Sequence, residues 1–130
     1  MEYNVLSSQI IAAAIEVHRE LGPGLLESIY EQCIAQELRE RGLRVEQQVV
    51  VPVCYKGKAL GSNMRLDMRA EGLVIVEVKA VEAFHDAHIA QLLTYLKLTD
   101  CRLGLLINFN EALLKQGIRR VINGSIEHTS

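Results

Sequence analysis

The run Leu73-Val74-Ile75-Val76-Glu77-Val78-Lys79 is apolar and mostly β-branched for four residues, then abruptly charged. A strand buried on both faces carries a run of this kind. An ionised side chain at its end is costly unless it is paired or bound to a metal. Asp67 lies upstream, with nine residues between it and Glu77. Asp67 and Glu77 fit adjacent antiparallel strands joined by a short turn, where both can point to one side. Lys79 is two residues past Glu77, so both project from the same face of the strand. Two carboxylates and a lysine gathered in this way fit a divalent-cation site of the kind used to hydrolyse phosphodiesters. The competing reading is a surface salt bridge of Asp67 or Glu77 with Lys79. Both stay open, because an Asp…Glu-x-Lys match is short.

On either side of this run the periodicity predicts the rest of the fold. Ile11, Ala14, Ile15, His18 and Leu21 share a helical face from about Ser8 to Leu21, with Ser7 or Ser8 as the cap. Gly22-Pro23-Gly24 breaks that helix. A second helix is expected from about Leu25 to Arg41, closed by Gly42. The period then changes to two. Val45, Gln47, Val49, Val51, Val53 and Tyr55 alternate along a strand, Lys56-Gly57-Lys58 makes a hairpin turn, and a strand from Leu60 to Ala70 carries Asp67. Glu71-Gly72 turns the chain into the third strand of a meander. A helix from Asp86 to Leu98, a central strand from Cys101 to Asn108, a helical turn at Glu111–Lys115 and a last strand at Ile118–Ile122 complete the order α-α-β-β-β-α-β-(α)-β. The connection between Lys79 and Cys101 is long enough for a parallel crossover. The class is therefore α/β, a mixed sheet flanked by helices, in one domain over residues 1–130.

Bulk composition narrows the field. The chain has 130 residues, 49% apolar and 23% charged, with formal net charge −2. That length is enough for a real core. No apolar run approaches a membrane span, and Met1-Glu2-Tyr3-Asn4 lacks the basic start of a signal peptide, so the expected location is cytoplasmic. The charge counts mildly against tight non-specific duplex binding, although basic residues cluster at Arg39/Arg41/Arg44, Lys56/Lys58, Arg65/Arg69 and Lys115/Arg119/Arg120. Each cluster reads equally as solvated surface. Cys33, Cys54 and Cys101 form no metal pattern with the four histidines and are expected as buried free thiols.

Further polar residues line up with the carboxylates. Mg²⁺ takes one or two carboxylates with water and phosphate, and the Val78 carbonyl could complete its shell. His88, Gln91 and Tyr95 share a helix face beside the apolar stripe, where they could border a cleft or simply edge the core. Glu27 in the first turn of its helix is accounted for by the helix dipole alone, but it shares a face with Tyr30 and could add a carboxylate.

Gly24-Leu25-Leu26-Glu27-Ser28-Ile29-Tyr30 resembles the signature of the GxxExxY protein family. Asp67, then Glu77-Val78-Lys79, then Gln91-x-x-x-Tyr95, resembles the motif series of the PD-(D/E)xK nuclease superfamily, in particular its bacterial recombination nucleases with a Gln-x-x-x-Tyr helix. Gly104–Phe109 and Gly117–Val121 resemble the GxxExxY family's closing strands, so the resemblance spans about Ile10 to Asn123. Leu66 stands where many members have proline. The resemblance implies a restriction-endonuclease-like core. It implies Asp67 and Glu77 as metal ligands, Glu27 as a further helix carboxylate, Lys79 as the catalytic lysine, and Gln91 and Tyr95 as the auxiliary motif. Tyr30 and His88 are expected substrate contacts. The expected function is Mg²⁺- or Mn²⁺-dependent hydrolysis of DNA, with a homodimer supplying grip that so small a core lacks. The alternatives are a catalytically silent nucleic-acid-binding module of the same fold, or an interaction protein with salt-bridged carboxylates.

Overall fold

The strand β3, Val74–Lys79, is buried along all but its last residue, and β4, Leu103–Asn108, along its whole length. In this computed structural model, which describes residues 1–126, the two pair in parallel from Val74 opposite Leu103 to Lys79 opposite Asn108. The crossover between them contains α3, Asp86–Thr99. Around this pair lie α1 (Tyr3–Leu21), α2 (Glu27–Glu40), β1 (Val45–Tyr55), β2 (Lys58–Ala70), a 3₁₀ turn (Leu114–Gly117) and β5 (Ile118–Ile122). The sheet order is β1-β2-β3-β4-β5, antiparallel everywhere except between β3 and β4. This is the expected mixed sheet between helices, consistent with a restriction-endonuclease-like fold.

Alternation along the buried strands divides the core. Val74, Val76, Val78, Leu103, Leu105 and Ile107 pack with Leu6, Ile10, Ile34 and Leu38 of α1 and α2. Ile75 and Leu106 face the other way, onto Leu92, Tyr95 and Leu96 of α3. A side chain is missing where α3 presses on β4. A Cβ at Gly104 would sit 2.8 Å from Leu92 Cδ1. Gly104→Ala is therefore expected to cost ~1–3 kcal/mol of stability by overpacking, read as a lower urea midpoint. An unchanged midpoint would mean that the two elements are looser than described.

Local details differ from the sequence reading. The first helix begins at Tyr3, five residues before Ser8. Ser7 and Ser8 do not cap it, because both hydroxyls donate back to Asn4 O, at 3.1 and 2.8 Å, inside the helix. Gly42 does close α2, at φ 84°. The fourth strand starts at Leu103 and the 3₁₀ turn at Leu114, later than expected. β4 is interior, but β3 holds the middle of the sheet. Of the cysteines only Cys101 is buried. Cys54 is exposed, because the outer half of the β1–β2 hairpin has no third strand beside it.

Candidate active site

Strands β2 and β3 pair at Ala70, Arg69 and Met68 and then part. One step past the last pair, Asp67 stands opposite Glu77. There the side chains take over the ladder's donors. The Asp67 N–H donates to Glu77 Oε2 at 2.7 Å, and the Val78 N–H donates to Asp67 Oδ2 at 2.9 Å. The fork thus satisfies backbone groups that splayed strands would leave open. It also anchors each carboxylate through one oxygen.

Burial of the fork is electrostatically unfavourable. Glu77 is only 4% exposed. Burial, reinforced by the Asp67 carboxylate, pushes its pKa from 4.5 to about 8, against the opposing pull of the Asp67 N–H and Lys79. Burial also raises Asp67, and Glu27 adds to this, while the Val78 N–H, Lys79 and Gln48 oppose it. A carboxyl whose folded pKa is raised favours the fold when protonated. Its contribution is complete below about pH 4.5 and is lost as pH rises through about 8. Metal-free protein in chelator is expected to lose stability across that window, by up to ~1.4 kcal/mol for each step of one in pH. Glu77→Gln should flatten the slope. A melting temperature independent of pH in the parent would contradict this.

Lys79 is half-buried at the end of β3, on Glu77's side of the strand. The salt-bridge alternative is not what the chain builds. Among the described residues the ion pairs are Arg19–Glu16, Arg41–Glu37, Arg44–Glu71 and Arg69–Glu46, and none involves Lys79, Asp67 or Glu77. Three of the clustered basic residues, Arg41, Arg44 and Arg69, are held in those pairs.

The chain beyond Lys79 is pinned from two sides. Glu27, the first residue of α2, accepts the Ala80 N–H on Oε2 at 3.0 Å. Asn108, buried at the end of β4, accepts the Val81 N–H on Oδ1 at 3.1 Å and donates to Val81 O at 2.8 Å. Glu27 is close enough to Asp67 for its charge to be felt there.

The α3 residues divide. Tyr95 is buried, and its hydroxyl donates to Arg65 O at 2.9 Å, two residues from Asp67. Burial and the charges of Glu77 and Asp67 raise its pKa. It holds β2 where that strand leaves β3. His88 lies at the rim, within the influence of Lys79 and Glu27, and its Nδ1 accepts the His85 N–H at 3.1 Å. Gln91 is exposed one turn before Tyr95, and its side chain bonds to no described residue. Tyr30 is a correction. It is fully buried, stacked 4.2 Å from Phe109, and its hydroxyl donates to Gly22 O and accepts the Leu25 N–H. Tyr30 clasps the loop ahead of α2 and is out of a substrate's reach.

Two residues at the site went unread in the sequence. Glu31, one turn after Glu27, is 7% exposed and accepts Gln47 Nε2 at 3.0 Å and Gln48 Nε2 at 2.7 Å. Its signal was the four-residue spacing from Glu27, which puts both on one face. Gln48 had none.

For a hard divalent cation the fit is one of donor chemistry. Among the described residues no three His, Cys, Asp or Glu side chains form a ready-built cage. The donors at the fork are nonetheless carboxylate oxygens whose mutual repulsion a cation would relieve, and Mg²⁺ is usually held by a few such oxygens together with water and substrate phosphate.

Among the described residues, no helix is long and apolar enough to cross a membrane. Comparison with curated proteins and with solved structures returned no match. A family model, that of the PD-(D/E)XK nuclease superfamily, matches residues 4–121. That match runs from α1 into β5 and takes in Glu27, the Asp67–Glu77 fork, Lys79 and Tyr95; the chain belongs to the PD-(D/E)XK nuclease superfamily.

Proposed function

We propose that this protein is a Mg²⁺- or Mn²⁺-dependent nuclease that hydrolyses DNA phosphodiesters, working as one domain of the GxxExxY branch and as a homodimer. The observation that carries this reading is the fork itself, with the buried Glu77 carboxylate on the Asp67 N–H, the half-buried Asp67 carboxylate on the Val78 N–H, and Lys79 two residues past Glu77. The superfamily generally uses divalent metals, and its substrates are nucleic acids. The signature Gly24–Tyr30 supports the branch. DNA is preferred because the Gln-x-x-x-Tyr helix resembles that of recombination nucleases. Free thiols at Cys33, Cys54 and Cys101 suit a reducing, cytoplasmic setting.

A cation bound at the fork would neutralise the reacting phosphate and lower the pKa of a water beside it. Asp67 and Glu77 would hold it through the oxygens not anchored by backbone N–H groups, with the Val78 carbonyl and Glu27 completing the protein's share. Lys79 stabilises the charge that develops on the phosphoryl oxygens. Tyr95 keeps Arg65, and hence Asp67, in place. His88 and Gln91 border the entrance, where a strand can be held.

The test is cleavage of labelled single-stranded, duplex and branched DNA, and of RNA, by the parent and by Asp67→Asn, in Mg²⁺, Mn²⁺ or chelator. Cation-dependent cleavage by the parent alone is expected. A second reading, a silent binding module, is favoured by the way every fork carboxylate already serves a backbone donor. Tight cation-independent binding without cleavage by either protein would establish it.

A further inference from the structure

Four described non-glycine residues have positive φ. Lys56 turns the β1–β2 hairpin, Glu71 turns β2 into β3, and Asp100 caps α3. In each case a turn or cap demands it. Gln48, at φ 51°, is different, because it lies inside β1. Gln47 and Val49 on either side keep register with Met68 and Leu66, so Gln48 stands opposite Asp67 and is skipped by the ladder. A side chain with a Cβ is disfavoured in this conformation, and such strain persists only where surrounding contacts over-determine it.

Those contacts are made by the side-chain amide. Nε2 donates to Glu31 Oε1 at 2.7 Å. Asp67 stands across the β1–β2 pair from Gln48, near enough for the amide to favour its carboxylate. An amide nitrogen has two N–H groups, so one NH₂ can serve two acids. Glu31 is itself fixed from α2, with its other oxygen on Gln47. The geometry points to Gln48 as a positioning residue. Its left-handed backbone turns the amide into the gap between α2 and β2, where it ties the Asp67 carboxylate to Glu31. Glycine would relieve the backbone but could tie neither acid.

The effect on rate rests on Asp67 acting in hydrolysis. The orientation of Asp67 does not, and it is readable without any cation. The reporter is Val78, whose N–H ends on Asp67 Oδ2. The experiment compares the parent with Gln48→Gly and Gln48→Ala. It measures amide hydrogen exchange at Val78 in chelator, melting temperature, and kcat and KM for DNA in Mn²⁺. Gln48→Gly is expected to melt at or above the parent, because the strain is gone, and Gln48→Ala below it. Both should exchange Val78 faster and lower kcat by about 10–100-fold, the range for groups that orient ligands, with KM little changed. Unchanged Val78 exchange in both variants would overturn the proposal. So would Gln48→Gly keeping the parent's kcat while Gln48→Ala loses it, since backbone shape alone would then matter. A parent without hydrolysis, but with Val78 exchange that responds to both variants, would uphold the positioning role and refute the nuclease reading.

Discussion

Asp67→Asn is expected to fold like the parent and to hydrolyse nucleic acid ~10³-fold more slowly. An asparagine oxygen can still accept the Val78 N–H that Asp67 Oδ2 takes at 2.9 Å. What disappears is the charge. Two consequences of opposite sign follow. Cation binding and turnover fall together, whereas metal-free stability near pH 8 rises, because the Asp67 carboxylate no longer helps to raise Glu77. Single-turnover cleavage and melting in chelator, run on the same preparation, read both. A variant that is inactive and also unfolded would show instead that Asp67 serves the fold. One that cleaves like the parent would remove Asp67 from the chemistry.

Lys79→Ala separates binding from chemistry. Loss of a single group that stabilises developing charge costs about 10²–10³-fold in kcat. Lys79 lowers the pKa of both fork carboxylates. It bears no ion pair among the described residues, so its removal leaves no partner stranded. The variant should therefore bind Mn²⁺ at least as tightly as the parent, because a repelling ammonium is gone, while kcat collapses and KM stays near its parent value. Calorimetric Mn²⁺ titration beside steady-state kinetics checks this. Equal loss of cation affinity and of rate would make Lys79 part of the cation site's scaffold.

How far the sequence reveals this site depends on which period carries each residue. The β3 run is readable because burial on both faces leaves no room for a charge, so Glu77 stands out against Val74-Ile75-Val76. The same logic locates β4 and the parallel crossover. Glu31 was missed because an acid four residues after Glu27 on an amphipathic helix usually faces water, and only the arrival of Gln47 and Gln48 from β1 buries it. Gln48 is invisible to pattern reading, since no glycine marks its left-handed backbone and the strand alternates undisturbed around it. Tyr30 misled because a shared face with Glu27 says nothing about depth. One turn of helix separates an exposed first-turn acid from a phenol stacked under Phe109. Ser7 and Ser8 misled because serine serves both as a cap and as a back-bonded helix residue, and only the earlier start at Tyr3 distinguishes the two.

The deciding measurement is thermal unfolding of the parent and Asp67→Asn with chelator and with saturating Mn²⁺. A cation that binds only the folded protein stabilises it by mass action, ~2.7 kcal/mol at a hundred times its Kd. The parent should melt several degrees higher in Mn²⁺ and Asp67→Asn should not move. Equal shifts in both proteins, or none in either, would contradict a cation site built on the Asp67–Glu77 fork.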